Sequence, residues 1–404
     1  MTRHEPRYAL TILTVINFLN YIDRYVLAAV FEPLKRDLHL SDAQLGWTLS
    51  AFMITYAVTA PLFGRLGDLF TRKRLIAAGV ALWSFATAAA GLASSFWRLF
   101  VPRALVGIGE ASYATLAPGI IVDSYEEEHR GRALAVFYAA IPVGSALGFV
   151  LGGEFAARFG WRTAFLVVGL PGFAFALLAL TLHEPQRGAT GGVMPEAGTP
   201  PTVLETYALL WNNATYVRVT VAFIAYTFAL GGLVGWMPAF LERYNGLPTA
   251  RANEVFGAIT VLSGFAGTFA GGYAGDYLLR CSKNGYLWVS AVGLLVGAPL
   301  TVIALSSRAA GVFMPAMFLA EFFLFLNTGP LNAVLLGCVP GSIRATAMAA
   351  NIFCIHAFGD VISPPIIGML SDRFGLFAAT LIAPVMMVAS GAILIHIIRR
   401  SPAH

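Results

Sequence analysis

An arginine and a glutamate interrupt an apolar stretch of helical length, RALVGIGEASYATLAPGIIVD, residues 103–123. At helical spacing Arg103, Gly107 and Glu110 fall on one face, and Asp123 closes the stretch. A guanidinium and a carboxylate are costly in hydrocarbon, whereas the rest of the stretch suits lipid. The pattern predicts a membrane helix whose small, charged face lines a polar interior.

A second charged pair, Asp23 and Arg24, lies in the apolar stretch TILTVINFLNYIDRYVLAAVF. The free energy of placing four charges against lipid would be roughly 10 kcal/mol. The four charged residues, Asp23, Arg24, Arg103 and Glu110, must therefore face one another or a hydrated cavity. One hypothesis is that Asp23 and Glu110 exchange protons as the cavity changes sides, because carboxylate protonation depends on burial and on the distance to a cation. The alternative is a static salt-bridge cluster that holds helices together.

Further charges gather where several helices are expected to end at the cytoplasmic side. The turn GRLGDLFTRKR, residues 64–74, combines glycines and cations with one acid, which can pair with a cation or cap the next helix. We interpret the group as a cytoplasmic gate that forms when the interior cavity faces outward and breaks when it faces inward, with a permanently paired network as the alternative. The gate residues are Asp68, Arg72, Asp123, Arg130 and Arg132.

The composition requires a membrane protein, because 58% of the 404 residues are hydrophobic and only 12% are charged, about half the usual charged fraction. Each spanning helix needs about 20 apolar residues. The apolar runs predict twelve spans: 8–31, 45–63, 74–93, 99–122, 132–156, 163–183, 216–241, 253–274, 285–306, 312–337, 345–369 and 377–398. The excess of Arg and Lys in alternate connections predicts that both termini are cytoplasmic. The three cysteines indicate neither a disulfide framework nor a metal site.

The spans fall into two halves of six, 1–183 and 216–404. Residues 184–215 between them are predicted to be a cytoplasmic linker with a possible interfacial helix, because 184–203 are rich in Pro and Gly. The second half carries its own acid, Glu321, which could bind a cationic head group, titrate as a second site, or simply bond neighbouring helices. Internal repeats of this kind are typical of secondary transporters.

Two polar features of the second half add to this pattern. His356 and Asp360 share one face of the eleventh span, either as a structural pair or as a proton relay. Gly329-Pro330 predicts a break in the tenth span.

Several motifs resemble the major facilitator superfamily over essentially the whole chain. Its loop signature between the second and third helices is met by Gly64, Leu66, Asp68, Arg72 and Lys73, and its fourth-helix signature by Arg103, Gly107, Gly109 and Ala111. The glycine signature of its antiporter branch resembles Gly144, Gly148, Gly152 and Gly153, with Phe149 in place of the usual proline. The resemblance implies an all-α membrane protein of twelve transmembrane helices in two pseudo-symmetric six-helix bundles, and it suggests antiport.

A closer resemblance is to the spinster-like branch, which handles lysophospholipids and sphingosine-1-phosphate. It rests on NYIDRYVLA, RALVGIGEASYATLAPGII and FYAAIPVGSALG, above all on the Gly-Glu-Ala-Ser-Tyr run at 109–113. The resemblance implies that Asp23 and Glu110 are coupling carboxylates and that Arg24 and Arg103 are their partners or contact the substrate head group. Tyr113 and Glu321 complete the predicted substrate-binding residues.

These observations predict a proton-coupled carrier of amphipathic lipids that works by alternating access. A carrier of drug-like or small organic anions is the alternative, and a membrane enzyme or a lipid sensor fits less well, since no nucleophile or nucleotide-binding motif is present. We expect no cofactor and no metal beyond the coupling proton, no nucleic acid partner, a monomer, and a bacterial inner-membrane location.

Overall fold

The structure is a computed structural model that describes residues 5–185, 203–340 and 343–400. Within these ranges the chain is helical, with short connections. The helices are α1 Glu5–Ala29, α2 Phe31–Leu38, α3 Asp42–Leu69, α4 Arg72–Ala90, α5 Phe96–Ser124, α6 Glu127–Phe159, α7 Trp161–Gly169, α8 Pro171–Leu180, α9 Val203–Asn212, α10 Ala214–Asn245, α11 Thr249–Leu279, α12 Gly285–Ser306, α13 Ala310–Phe325, α14 Thr328–Gly337, α15 Arg344–Ile355, α16 Ser363–Phe374, α17 Leu376–Thr380 and α18 Ile382–Arg400. A π-helical turn, His356–Asp360, joins α15 to α16.

The predicted membrane architecture is confirmed. Ten helical stretches of the described chain are long and apolar enough to cross a bilayer, some of them composed of two consecutive helices. The remaining two predicted spans are filled by α1 and α4, which are less apolar. In α1 this reflects Asp23 and Arg24, and α4 opens with a run of three cations. The fold is that of an all-α membrane protein with twelve spans.

The structure corrects two local predictions and adds one short helix. The motif expected to form a turn at 64–74 is mostly helical, because α3 continues to Leu69 and α4 starts at Arg72. The polar connection after the first span contains the short helix α2, whose Phe31 and Leu34 are buried. The break in the tenth span lies at Leu326-Asn327, before Gly329-Pro330, because a proline is tolerated in the first turn of the helix that follows.

Two compact units divide the described chain. Of the described residues, 5–185 together with Leu241–Gly257 form the first unit, and 203–240, 258–340 and 343–400 form the second. The predicted halves, 1–183 and 216–404 with a linker at 184–215, stay a prediction. Of that linker, 186–202 lie outside the described residues, and Val203–Asn212 is helical.

In the first unit the glycines of α6 allow α1 to pack against it at backbone distance. A Cβ atom on Gly144 would lie 2.7 Å from the Phe18 carbonyl oxygen, and one on Gly148 would lie 2.7 Å from the Ile22 carbonyl oxygen. Backbone atoms cannot move aside as a flexible side chain can, so these positions accept only glycine without displacement of a helix. We call Gly144 and Gly148 the glycine ridge of α6. This ridge holds α1, and with it Asp23, at a fixed depth in the unit.

Candidate functional site

Two ion pairs lie inside the first unit, each linking α1 to α5. Arg103 Nη1 lies 3.2 Å from Asp23 Oδ1, and Arg24 Nη2 lies 2.9 Å from Glu110 Oε2. The side chains of Arg103 and Glu110 are fully buried, that of Asp23 almost so, and that of Arg24 is 17% exposed. The structure thus brings together the four charges that the sequence singled out, as acid–base pairs.

The pairing is crossed between neighbours in the sequence. Asp23 and Arg24 are consecutive on α1, yet Asp23 pairs with Arg103 and Arg24 pairs with Glu110. Arg103 and Glu110 are separated by two turns of α5, so both α1 charges find an opposite charge on one helix. With all four ionised the cluster has no net charge, which limits the cost of burying it.

A hydroxyl from a third helix completes the surroundings of Asp23. Thr87 Oγ1 on α4 donates a hydrogen bond to Asp23 Oδ2, so both carboxylate oxygens are occupied. Sequence reasoning missed Thr87, because a threonine in an apolar helix carries no signal of its partner.

Several polar atoms of the cluster form no hydrogen bond to the described residues although they are buried. They are Nε and Nη2 of Arg103, Oε1 of Glu110 and Nδ2 of Asn20. Buried polar groups are normally paired, with protein or with water. The cluster therefore retains donors and an acceptor that a water molecule, a proton or a bound ligand could use.

Three aromatic rings surround the guanidinium of Arg24. Its Cζ atom lies 4.8 Å from the ring centroid of Tyr21, 4.9 Å from that of Phe52 and 5.4 Å from that of Tyr56. All three distances are within cation–π range, in which one contact contributes about 0.5–2 kcal/mol depending on desolvation. Phe52 and Tyr56 were missed in the sequence, although their i,i+4 spacing on α3 was available as a signal.

Tyr113 lies one turn beyond Glu110 on α5, in the hydrophobic core of the first unit. Its side chain is fully buried, its hydroxyl donates to the Leu13 carbonyl oxygen, and its ring packs edge-on against Trp83 with centroids 5.7 Å apart. A substrate role for Tyr113 stays a prediction. The contacts observed are those of a core residue that joins α1, α4 and α5.

Glu321 lies in the second unit, on α13. It is buried, and Ser263 on α11 donates a hydrogen bond of 3.0 Å to its Oε2 atom. It borders a cavity of about 20 Å³, otherwise lined mainly by apolar side chains that include Met237 and Met317. A space of that size holds about one water molecule. The hydrogen bond with Ser263 joins α13 to α11. A bond between neighbouring helices is one of the three alternatives that the sequence left open for Glu321.

Arg72 is the centre of an ionic cluster at the ends of α4 and α5. Its Nη1 atom lies 2.7 Å from Asp123 Oδ2, and its Nε atom lies 3.3 Å from Glu184 Oε1. The backbone N–H of Arg72 also donates to Glu184 Oε1 at 2.9 Å. Glu184, which the sequence did not single out, therefore caps the first turn of α4, a role considered for Asp68.

The other predicted gate residues lie on the neighbouring helices, Asp68 on α3 and Arg130 and Arg132 on α6. Asp68 and Arg132 are exposed, and Arg130 donates from Nε to the Tyr125 carbonyl oxygen at 3.1 Å. Of the five predicted gate residues, the structure pairs Arg72 and Asp123 directly. That the five gate residues open and close as a gate stays a prediction.

A third ionic cluster, at the far end of α10, was not predicted. Arg243 donates from Nε to Glu32 Oε1 at 2.5 Å, and from Nη1 and Nη2 to the two oxygens of Asp42 at 2.6 and 2.8 Å. Lys35 Nζ also contacts Asp42 Oδ1 at 2.6 Å. All four residues belong to the first unit, because Leu241–Gly257 group with it. The planar fork of arginine suits such a bidentate contact.

Asn253 also attaches the segment Leu241–Gly257 to the rest of the first unit. Its Nδ2 atom donates to the Ala29 carbonyl oxygen at 2.9 Å, at the last residue of α1.

Two further pairs lie away from these clusters. In the π-helical turn, His356 Nδ1 lies 2.9 Å from Asp360 Oδ2. At the end of α2, hydrogen bonds from Arg162 and Trp161 lower the pKa of the Asp37 carboxyl. Among the described residues no group of three or more His, Cys, Asp or Glu side chains is arranged to hold a metal ion.

Comparison with known families identifies the class of protein. The family model described as Major Facilitator Superfamily matches residues 13–359. The chain is therefore a membrane transporter of the Major Facilitator Superfamily.

Relatives define the branch more narrowly. The chain is 35% identical over 395 residues to protein spinster homolog 1 of Mus musculus, covering 92% of this chain and 74% of the mouse protein. It is 32% identical over 396 residues to the probable sphingolipid transporter spinster homolog 2 of Arabidopsis thaliana, covering 91% and 81%. Against protein spinster of Drosophila melanogaster it is 34% identical and spans 62% of that protein's length. The chain belongs to the spinster family.

Solved structures agree with this fold. A bacterial homologue of the human lysosomal transporter Spinster, crystallised in an inward-facing and occupied conformation, aligns with a TM-score of 0.85 over 100% of both chains at 24% identity. A bacterial Spinster homologue in an inward-facing and unoccupied conformation aligns with a TM-score of 0.83 at 25% identity. This alignment covers 98% of this chain and 96% of the homologue.

Proposed function

We propose that this protein is a proton-coupled secondary transporter of amphipathic lipids of the lysophospholipid or sphingosine-1-phosphate type, with Asp23 and Glu110 as the coupling carboxylates. The observation that carries the proposal is the crossed cluster of Asp23, Arg24, Arg103 and Glu110. In this cluster each of two buried carboxylates forms an ion pair with an arginine of the other helix, α1 or α5. Membership of the spinster family and the name of the Arabidopsis relative support a lipid substrate.

The charge balance of the cluster supports proton coupling. In the fully ionised state two acids and two arginines cancel, whereas one added proton leaves a net charge of +1 in an apolar interior. An unbalanced charge at the bilayer centre costs about 2.5–3.5 kcal/mol on the gentler insertion scales. Proton uptake therefore favours a state in which water or an anionic head group reaches the cluster, which links protonation to the side on which the site opens.

The unpaired atoms of Arg103 support a substrate role for the arginines. Its Nε and Nη2 atoms are buried without a partner among the described residues, and a guanidinium binds a phosphate or carboxylate through two parallel hydrogen bonds. In this proposal Arg24 and Arg103 receive the anionic part of the head group. Glu321, in the second unit, is a further substrate contact. The cytoplasmic gate comprises Asp68, Arg72, Asp123, Arg130 and Arg132, with Glu184 as an additional partner of Arg72.

The charge distribution of the chain supports a cytoplasmic position for both termini, and the match to a bacterial spinster homologue supports the inner membrane as its location. In this setting the substrate would move between the two leaflets or from one side of the membrane to the other.

The proposal is tested by transport in proteoliposomes. Fluorescent lysophosphatidylcholine, sphingosine-1-phosphate and a non-lipid organic anion are compared with and without a pH gradient. We expect gradient-dependent transport of a lipid by the wild type, and loss of the gradient dependence in Asp23→Asn and Glu110→Gln. Glu254→Gln is the matched control, because Glu254 pairs with Arg251 on α11 with both side chains exposed.

Two outcomes would contradict the proposal. Transport by both carboxylate variants with unchanged dependence on the gradient would leave the cluster a static support for the helices. Transport of the organic anion without any lipid transport would replace lipids by small anions as the substrate.

A further inference from the structure

The surroundings of Arg24 are those of a ligand site. Three ring centroids lie within 5.4 Å of Arg24 Cζ, those of Tyr21 on α1 and of Phe52 and Tyr56 on α3. Glu110 Oε2 lies 2.9 Å from Nη2 of the same guanidinium. Aromatic rings around one cation, with a carboxylate beside them, form the arrangement by which proteins bind quaternary ammonium groups. Here the cation inside it belongs to the protein itself.

We propose that Tyr21, Phe52 and Tyr56 form a binding subsite for the amine or quaternary ammonium group of a substrate, and that Arg24 occupies this subsite as an internal substitute until the substrate arrives. The inference rests on the proposed function, because it assigns the cationic part of the head group of the same substrate. We call these three residues the aromatic box.

The arginine is the one member of the crossed cluster with partial access to the surface of the unit. Its side chain is 17% exposed, whereas those of Glu110 and Arg103 are fully buried. Arg24 can therefore leave the box without unpacking α5. A flexible arginine side chain also has the length to move aside while the rings, fixed on α1 and α3, keep their positions.

Displacement of Arg24 has a chemical consequence for the substrate. An ammonium group that enters the box takes over the contact with Glu110, so the charge of that carboxylate stays balanced. The displaced guanidinium then needs an anion, which a phosphate on the same head group supplies. The box therefore favours zwitterionic head groups, in which an amine lies close to a phosphate, over purely anionic ones.

A comparison of ligands on purified protein tests this without any gradient. Binding of tetramethylammonium, of lysophosphatidylcholine and of lysophosphatidic acid is measured by equilibrium titration in maltoside micelles, since that detergent carries no charged head group. In the wild type we expect lysophosphatidylcholine to bind about tenfold more tightly than lysophosphatidic acid, which lacks the cation.

Substitutions in the box separate its aromatic character from its shape. Tyr56→Leu and Tyr21→Leu should each weaken lysophosphatidylcholine binding about tenfold and leave lysophosphatidic acid binding within twofold. Tyr56→Phe keeps the aromatic ring and should retain binding, and Tyr277→Leu, on an exposed tyrosine of α11, is the matched control. Arg24→Gln empties the box and should tighten tetramethylammonium binding at least tenfold.

Each result decides the proposal. Equal losses for both lysolipids in the leucine variants, or binding of tetramethylammonium by Arg24→Gln that is no tighter than in the wild type, would overturn it. A leucine variant that fails to fold is recognised by its elution profile, and the Tyr56→Phe and Arg24→Gln variants then carry the test. Because binding needs no pH gradient, a failure here is distinct from a failure of proton-coupled transport.

Discussion

The crossed cluster predicts a large energetic coupling between Asp23 and Arg103. The two side chains are almost completely buried and lie 3.2 Å apart. Removal of one partner from a buried ion pair leaves an uncompensated charge and typically costs about 3–5 kcal/mol, whereas replacing both partners costs far less. We therefore expect Asp23→Asn and Arg103→Gln to destabilise strongly as single variants and the double variant to recover much of the loss, with a coupling energy of about 3 kcal/mol.

The assay is equilibrium unfolding of the four proteins of the cycle in mixed micelles, followed by tryptophan fluorescence. Four of the seven tryptophans, at positions 47, 83, 97 and 161, lie in the first unit, so the signal reports on the unit that contains the pair. All four proteins are measured at one pH, because a change in proton binding would otherwise add to the free energy of unfolding.

The pair Asp37 and Arg162 provides a matched control of the same residue types. Its atoms are closer, at 2.6 Å, but its side chains are 46% and 45% exposed. Exposed pairs usually contribute about 0–1 kcal/mol because water competes for both charges. If the buried pair showed a coupling no larger than this exposed pair, the reasoning from burial would be wrong and the cluster would be hydrated.

Two further predictions concern packing and the unexpected ionic cluster. Gly148→Ala should destabilise the protein by roughly 1–3 kcal/mol in the same unfolding assay, because its Cβ would lie 2.7 Å from a backbone oxygen of α1; Gly272→Ala, with nothing within 4 Å, should be neutral or stabilising. Equal effects would contradict the glycine ridge. Arg243→Gln should speed hydrogen exchange in 241–257 at least tenfold, because three charge-assisted hydrogen bonds are lost or weakened. Arg251→Gln, which alters an exposed pair, should not, and unchanged protection in Arg243→Gln would exclude Arg243 as the anchor of that segment.

The helix positions followed from the sequence because the hydrophobic requirement of a bilayer is local. A run of about 20 apolar residues is recognisable without knowledge of its neighbours, and all twelve predicted positions are occupied by helices. Boundaries were less accurate where a helix continues through polar residues, as α3 does to Leu69. The cost of the apolar setting also singled out the four central charges, since an ionised group in hydrocarbon requires a partner wherever that partner lies.

The partners themselves were decided only by the tertiary structure. Asp23 is followed directly by Arg24, but it pairs with a residue 80 positions away, because the glycine ridge of α6 and the packing of α5 fix which faces of α1 meet which charges. Glu184 and Arg243 carried no signal in the sequence, since each is an ordinary charged residue: Glu184 follows the end of α8, and Arg243 lies in the last turn of α10. Composition and spacing thus determined that this is a membrane protein with charges in its interior. The crossed pairing and the aromatic box around Arg24 depend on side-chain distances, which only the packing of α1, α3 and α5 sets.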